Sequence, residues 1–289
     1  PLPSFSAGAH IDVQIPNGPK RSYSIVSSSA VRSYWRIAVK RSIKSEGGAA
    51  WFHQQARVGM CIETSSPKNN FMLHESENET IFIVGGIGIT PILSMIETLN
   101  QQGRRWTLHF ANPSLKKMAF AGHLKKLAKQ NDNVVNLYFS DANQPGKMNV
   151  ENIIDSSHKN SHIYCCGPTR MIDTFLLATQ TFPSDQVHFE RFGATQQAAT
   201  EGSYLLHLLR DGRSITVPKG KSMLDVLLDN GLDIPYSCTQ GVCGTCRLTV
   251  VEGTPDHRDS FLSNEEQKSG KAVIPCCSGS VSQALILDL

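Results

Sequence analysis

Short apolar runs broken by Gly, Pro, Ser and Asn fill the first quarter of the chain, at 8–15, 22–26, 34–39 and 60–64. Alternation over so few residues predicts the strands of a small antiparallel barrel. From residue 80 the pattern changes to strand followed by helix. Apolar strands are predicted at 80–84, 106–111, 134–139 and 161–166, and helical spacing at 91–99, 123–129 and 169–179. Thr90 is placed as the N-cap of the first of these helices and Pro91 at its first turn. Strand and helix in alternation imply a parallel sheet covered on both faces. A small-residue, polar stretch over 194–203 then reads as a linker. Beyond it, strands at 204–210 and 214–217 flank Asp211-Gly212, a hairpin signal. Ser222 and Asp225 form a capping box for a helix ending near Asn230-Gly231, and Pro235 opens a cysteine-rich loop.

At 289 residues, 40% apolar and 18% charged, the chain is too long for a single core. The expected domains are 1–76, 77–196 and 204–289, with 197–203 as the linker. The barrel is one strand short, and the chain starts at Pro1, so an N-terminal strand is expected upstream. No segment reaches the ~20 apolar residues of a membrane span. Residues 1–199 hold 20 Lys/Arg against 14 Asp/Glu, whereas residues 200–289 hold 8 against 11. A mild basic excess spread over two hundred residues is not the concentrated stripe of a nucleic-acid binder. The acidic end suits docking to a basic protein.

Five of the eight cysteines lie in the last fifth of the chain. That clustering suggests a metal site in a reducing compartment, hence a cytoplasmic protein, and not a spread disulfide framework. Cys238, Cys243 and Cys246 stand in a C-x4-C-x2-C run, with Cys276 and Cys277 further on. This is the plant-type ligand spacing for a [2Fe-2S] cluster. Gly241 and Gly244 would let backbone amides approach the sulfides. A structural zinc would show two separated pairs of close ligands. Cys276 and Cys277 are both in place as the fourth ligand, and Cys276 is preferred. Upstream, Gly85, Gly86 and Gly88 follow a strand and precede a helix, so they allow the main chain close to a pyrophosphate.

The cysteine run, the stretch 252–259, the glycine turn with Thr90 and Pro91, and Cys166-Gly167-Pro168 occur in the order found in the phthalate dioxygenase reductase family, which the whole chain resembles. The resemblance implies a multidomain fold: an antiparallel β-barrel flavin domain, an α/β parallel-sheet nucleotide domain and an α+β plant-type ferredoxin (β-grasp) domain. It implies FMN, a [2Fe-2S] cluster and NADH, and a Rieske-type oxygenase as electron acceptor. Arg21 would meet the flavin phosphate, Tyr23 the ribityl or ring region and Ser24 the ring edge, with Ser22 in the same motif. Lys40, Gly47, Gly48 and Ala49 align with further flavin contacts. Cys166 would lie beside the nicotinamide and Phe192 against the flavin, so Ser24, Thr90, Cys166 and Phe192 form the expected hydride-transfer group. Cys165 is expected on the opposite face, in the core. The family's Arg and Ser around the glycine pair are replaced here by Glu46 and Ala49, and Lys40 or Lys44 is expected to compensate. Asn112 stands after the strand 106–111 where an Arg would serve a 2′-phosphate, so NADH is favoured over NADPH, although Lys116 and Lys117 are close in sequence. The alternative is a stand-alone flavin or ferric reductase.

Overall fold

The computed structural model describes residues 1–289 except 17, 19, 42–47, 76, 130–132, 142–145, 193–197 and 237. They form two compact units, Pro1–Phe192 and Gly193–Leu289. Among the described residues, no helix is long and apolar enough to cross a membrane.

In the first unit, β1 (His10–Gln14) pairs antiparallel with β2 (Lys20–Ser24). The runs expected as strands at 34–39 and 60–64 are not continuous strands. They add only the bridges Ile25↔Ile37 and Val13↔Thr64, and His10↔Lys68 adds a third. What holds them is side-chain burial: Trp35, Ile37 and Ile62 pack on Ile11, Val13, Ile15, Ile25 and Trp51. Trp51 belongs to α1 (Gly48–Gln54), a seven-residue helix too short to show a period in the sequence.

The rest of this unit is a parallel sheet. Its elements are β3 (Thr80–Gly85), α2 (Ile89–Gln101), β4 (Trp106–Asn112), α3 (Ala121–Ala128), β5 (Val134–Phe139), α4 (Val150–Asp155), β6 (His162–Cys166), α5 (Thr169–Ala178) and β7 (Val187–Glu190). The strand order is β5-β4-β3-β6-β7, with every pairing parallel. β3 is buried throughout. Phe82 and Val84 join the core on one face, while Ile81 and Ile83 join that on the other. Truncating Phe82 to Ala would cost about 3–5 kcal/mol. The chain moves outward from β3 through β4 to β5, then returns to β6 on the other side. The β3–β6 junction is therefore the switch point where such sheets bind ligands.

α2 starts earlier than expected. A 3-10 turn over Gly86–Gly88 runs straight into the helix, whose N-cap position is Gly88. Thr90 is the second helical residue, and its hydroxyl donates to the Ile87 carbonyl at 3.0 Å. Pro91 is third, where a helix has no intrahelical bond to lose. α4 and β7, which the sequence reading did not identify, are six and four residues long.

The second unit contains β8 (Tyr204–Leu208), β9 (Ser214–Val217), α6 (Met223–Asp229), β10 (Leu248–Glu252), β11 (Pro255–Asp256), α7 (Asn264–Ser269), β12 (Ala272–Val273), β13 (Gly279–Ser280) and β14 (Ala284–Leu287). The larger sheet has the order β12-β10-β14-β8-β9, with β14 parallel to β8 and the other pairings antiparallel. α6 buries Met223, Leu224, Val226 and Leu227 in its core, and its Ser222–Asp225 capping box is formed as the sequence suggested. β11 pairs with β13 in a separate small sheet. Within the stretch read as linker, the Ala199 amide donates to the Cys277 carbonyl at 2.8 Å, so residue 199 is held by this unit.

Three histidines meet in the first unit. The ring of His188 in β7 stacks on His74 at 4.4 Å and on Tyr164 at 4.4 Å. It also shares a 2.9 Å hydrogen bond with His162, one ring nitrogen donating and the other accepting. The His74 amide donates to the Tyr164 hydroxyl at 2.8 Å. Burial, then the neighbouring imidazoles, push His188 down to about 4, and burial pushes His162 down as well. The unfolded chain takes up these protons below about pH 6.5, whereas the folded chain resists, so stability is lost as pH falls from about 6.5 to about 4. The melting temperature should therefore drop over that range in the wild type. It should drop less in His188→Phe, which keeps a ring in the stack without a titrating group. Parallel curves for the two proteins would contradict this.

Candidate functional site

On β2, successive side chains face opposite ways. Ser22 donates to Asp12 Oδ1 at 2.6 Å, and fully buried Asp12 is also paired with Lys68 at 2.7 Å. The Ser22 hydroxyl is thus engaged by Asp12 across the strand pair. Ser24, two residues on, is buried. Arg21 and Tyr23 share the other face. A Cβ placed on Gly48 would lie 2.9 Å from Tyr23 Oη and 3.0 Å from Arg21 Cγ, so Arg21, Tyr23 and the start of α1 converge, with half-buried Ala49 next in line. Tyr23 packs edge-on against Phe52 at 5.3 Å, and burial raises its phenol above the usual range although Arg21 opposes this. Arg21 Nη1 donates to the Lys20 carbonyl at 3.0 Å. A guanidinium beside an aromatic ring is a donor set suited to a flavin phosphate. Lys44, Glu46 and Gly47 lie outside the described residues.

At the switch point, two strand ends are locked together backbone to backbone. The space for a side chain at Gly88 is filled by the Cys166 carbonyl, 2.2 Å from the Cβ position, and that at Gly85 by Pro168 Cδ at 2.5 Å. At Gly167 the same space holds Met171 Sδ at 2.8 Å and the Gly85 nitrogen at 3.0 Å. The fold itself therefore demands glycine at 85, 88 and 167. Gly86 differs. Its φ is 57°, and the nearest group to its Cβ position is the Lys40 ammonium at 3.7 Å. Lys40, expected at the flavin, thus reaches the dinucleotide turn. An ammonium over an open glycine backbone suits a pyrophosphate. At the end of β4, buried Asn112 has an Nδ2 without a hydrogen-bond partner.

Cys165 and Cys166 face opposite cores, as alternation requires, and both are completely buried. Burial pushes the Cys165 thiol up to about 12. Burial and the nearby Glu190 hold Cys166 well above the usual thiol range, so Cys166 is a neutral packing group at the strand end. Phe192 is 43% exposed at the end of the unit.

The second unit brings four thiols together. Cys238 meets Cys243 and Cys276, and Cys246 meets Cys276. Hydrogen bonds from Cys243 and Cys276 pull Cys238 well below the usual thiol range, while donation to Cys238 pushes Cys243 and Cys276 up. Among the described residues, no group of three or more His, Cys, Asp or Glu is arranged to hold a metal ion. Four thiols linked by mutual contacts are the donor set that would hold a two-iron unit. Sulfur also finds N–H and O–H donors: Gln240 N to Cys238 Sγ at 3.4 Å and Thr245 Oγ1 to Cys243 Sγ at 3.2 Å. Gly241 has φ 71°, and a Cβ there would lie 2.4 Å from Cys277 Sγ and 3.0 Å from Asp259 Cα. Cys277 therefore backs the loop, and Cys276 faces the other thiols. The ring of Phe261, 43% exposed, occupies the side-chain space of Gly244.

One residue given no role by sequence reasoning stands out. Glu190 ends β7, and its Oε2 is shut off from solvent without a hydrogen-bond partner. Burial pushes its carboxyl up to about 8. Only the β6–β7 pairing, which sets Glu190 opposite Cys166, could have revealed it. The unfolded carboxyl ionises above about pH 4.3 but the folded one resists to about 8, so this group lowers stability progressively as pH rises between those values. Glu190→Gln, which mimics the protonated acid, should raise the melting temperature more at pH 8 than at pH 5. An equal effect at both would contradict the assignment.

Residues 82–176 match the family model of the oxidoreductase NAD-binding domain, and residues 206–279 that of the 2Fe-2S iron-sulfur cluster binding domain. The chain is 44% identical to phenoxybenzoate dioxygenase subunit beta of Ectopseudomonas oleovorans, covering 100% of this chain and 89% of that protein. It is 40% identical to tetrachlorobenzoquinone reductase of Sphingobium chlorophenolicum, covering 100% and 90%. Identity to phthalate dioxygenase reductase of Burkholderia cepacia is 36%, covering 100% and 89%. A solved structure of phthalate dioxygenase reductase, described as modular for electron transfer from pyridine nucleotides to [2Fe-2S], matches with a TM-score of 0.80 at 35% identity, covering 100% of this chain and 89% of that one. With similarity of this extent in both sequence and fold, the chain belongs to the phthalate dioxygenase reductase family.

Proposed function

We propose that the protein is the reductase component of a bacterial oxygenase or demethylase system, passing electrons from NADH through FMN and a [2Fe-2S] cluster to a terminal Rieske-type oxygenase. The observation that carries this reading is the presence on one chain of four thiols brought together and of a glycine turn at the switch point of a parallel sheet. Bound FMN accepts electrons in pairs from a hydride donor and releases them singly. The protein's part is then to hold and orient.

Arg21 holds the flavin phosphate, Tyr23 and Ser24 border the flavin, and Gly48 lets Arg21 and Tyr23 pack on the start of α1, with Ala49 beside them. Ser22 supports this strand through Asp12 on the neighbouring one. The turn through Gly85, Gly86, Gly88, Thr90 and Pro91 receives the dinucleotide pyrophosphate, with Lys40 above Gly86. Cys166, Gly167 and Pro168 form the wall beside the nicotinamide, and Phe192 covers the flavin. Cys166 acts by shape, because its thiol stays protonated. Asn112, and not a guanidinium, closes β4, which favours NADH over its 2′-phosphorylated form. Cys238, Cys243, Cys246 and Cys276 hold the irons. Eight cysteines without a disulfide suit a cytoplasmic location.

Cys246→Ser should lower NADH-driven reduction of a Rieske oxygenase by more than about 100-fold. NADH oxidation with ferricyanide, which can draw electrons from the flavin, should persist. Undiminished delivery to the oxygenase by the variant, or faster reduction of a small quinone than of the oxygenase by the wild type, would contradict the proposal.

A further inference from the structure

Behind the thiol loop lies a pair of titratable side chains to which the electron-transfer reading gives no part. The Asp259 side chain is completely buried. Its Oδ2 accepts from the amides of Phe261 at 3.2 Å and Leu262 at 2.8 Å, and its Oδ1 accepts from Ser278 Oγ at 3.3 Å. His257 Nδ1 stands 3.6 Å from the same Oδ1. The imidazole is only 12% exposed, and neither ring nitrogen has a hydrogen-bond partner. The pair is pressed against the loop that supplies three of the four thiols. Asp259 Cα lies 3.0 Å from the Cβ position of Gly241, between Cys238 and Cys243, and the Ser260 amide donates to the Gly241 carbonyl at 3.0 Å.

A buried carboxylate bonded to neutral donors leaves a net negative charge in a poorly solvated place. The imidazole beside it has no other partner, and it can cancel that charge by taking a proton. Histidine is the side chain whose charge changes between about pH 5 and 8. An electron arriving in the adjacent cluster adds a second negative charge, which favours the protonated pair. Linkage works in both directions: a proton on His257 makes the electron easier to add.

We propose that His257 and Asp259 are a proton-linked positioning pair, which braces the cluster loop at Gly241 and sets the cluster's reduction potential according to the charge on His257. The proposal rests on the [2Fe-2S] reading. As one electron from reduced flavin reaches the cluster, His257 takes up one proton from solvent, wholly or in part according to pH. Other titratable groups surround the pair. Asp256 and Arg258 neutralise each other at 2.8 Å, and Asp256 holds Arg258 above its ordinary range. The Tyr204 hydroxyl from β8 is pushed well above the phenol range by burial. Cys277 lies across Gly241. The test therefore runs between about pH 5 and 7.5, within the range where histidine is the side chain whose charge changes.

The test is an optical spectroelectrochemical titration of the cluster in the purified, iron-loaded reductase across that range. The wild-type potential should fall as pH rises. His257→Gln should abolish the dependence, and Asp259→Asn should shift the potential upward at pH 7.5 by removing a negative charge. A flat wild-type potential would overturn the proposal without recourse to any variant, as would an unchanged slope in His257→Gln. Protein lacking iron would overturn the cluster reading itself. Iron-loaded protein with a flat potential would leave that reading intact and remove only the role of the pair.

Discussion

Four sulfur atoms, three from one short loop and one from a distant segment, must come within bonding reach of two irons, and the backbone has to bend sharply to allow it. The bend is visible in three left-handed residues within nine: Thr239 at φ 54°, Gly241 at 71° and Gly244 at 69°. Two of these are glycine because the surrounding protein occupies the side-chain space, with Cys277 and Asp259 at one and Phe261 at the other. Thr239 adopts the same region without that freedom, and its hydroxyl donates to the Cys238 carbonyl at 2.7 Å. Strain of this kind is tolerated where the neighbouring structure over-determines it.

The same economy of space governs the parallel sheet. β3 and β6 end so close together that Gly88 rests on the Cys166 carbonyl and Gly167 on Gly85. That contact shapes the crevice at the switch point and leaves Gly86 as the glycine open to a ligand. Around it, charge is sparse but placed: Lys40 above the turn, Glu190 beneath Cys166, and the histidine stack at the far end of β6 and β7. The Cys166 thiol at the strand end is buried and held neutral.

Much of this was legible in the residues because local rules carried it. The alternation of strand and helix, the Ser222–Asp225 capping box and the opposite faces of Cys165 and Cys166 all depend on near neighbours. The cysteine spacing was legible for a related reason, since three ligands share one loop. What escaped depends on distant partners. Nothing in the sequence pairs the Ser22 hydroxyl with Asp12 across the strand pair, and Lys40 reaches a turn that lies 46 residues ahead of it. Glycines at 85 and 88 suggested a ligand, and packing against Pro168 and Met171 at one and the Cys166 carbonyl at the other is a further reason for them that the sequence does not show. The helix start at Ile89 was misplaced because the 3-10 turn before it leaves no mark in the sequence. Asp259 and Glu190 show nothing in sequence that separates them from surface carboxylates, and only burial does so.

The central claim is that thiols near the carboxyl end hold a pair of irons fed by a reduced dinucleotide. Iron and acid-labile sulfide analysis of the purified protein, with electron paramagnetic resonance before and after NADH, tests it most directly. The account predicts about two irons and two sulfides per chain, silent when oxidised and giving a signal from one unpaired electron once NADH is added. Zinc in place of iron, or an iron centre that NADH leaves unchanged, would contradict it.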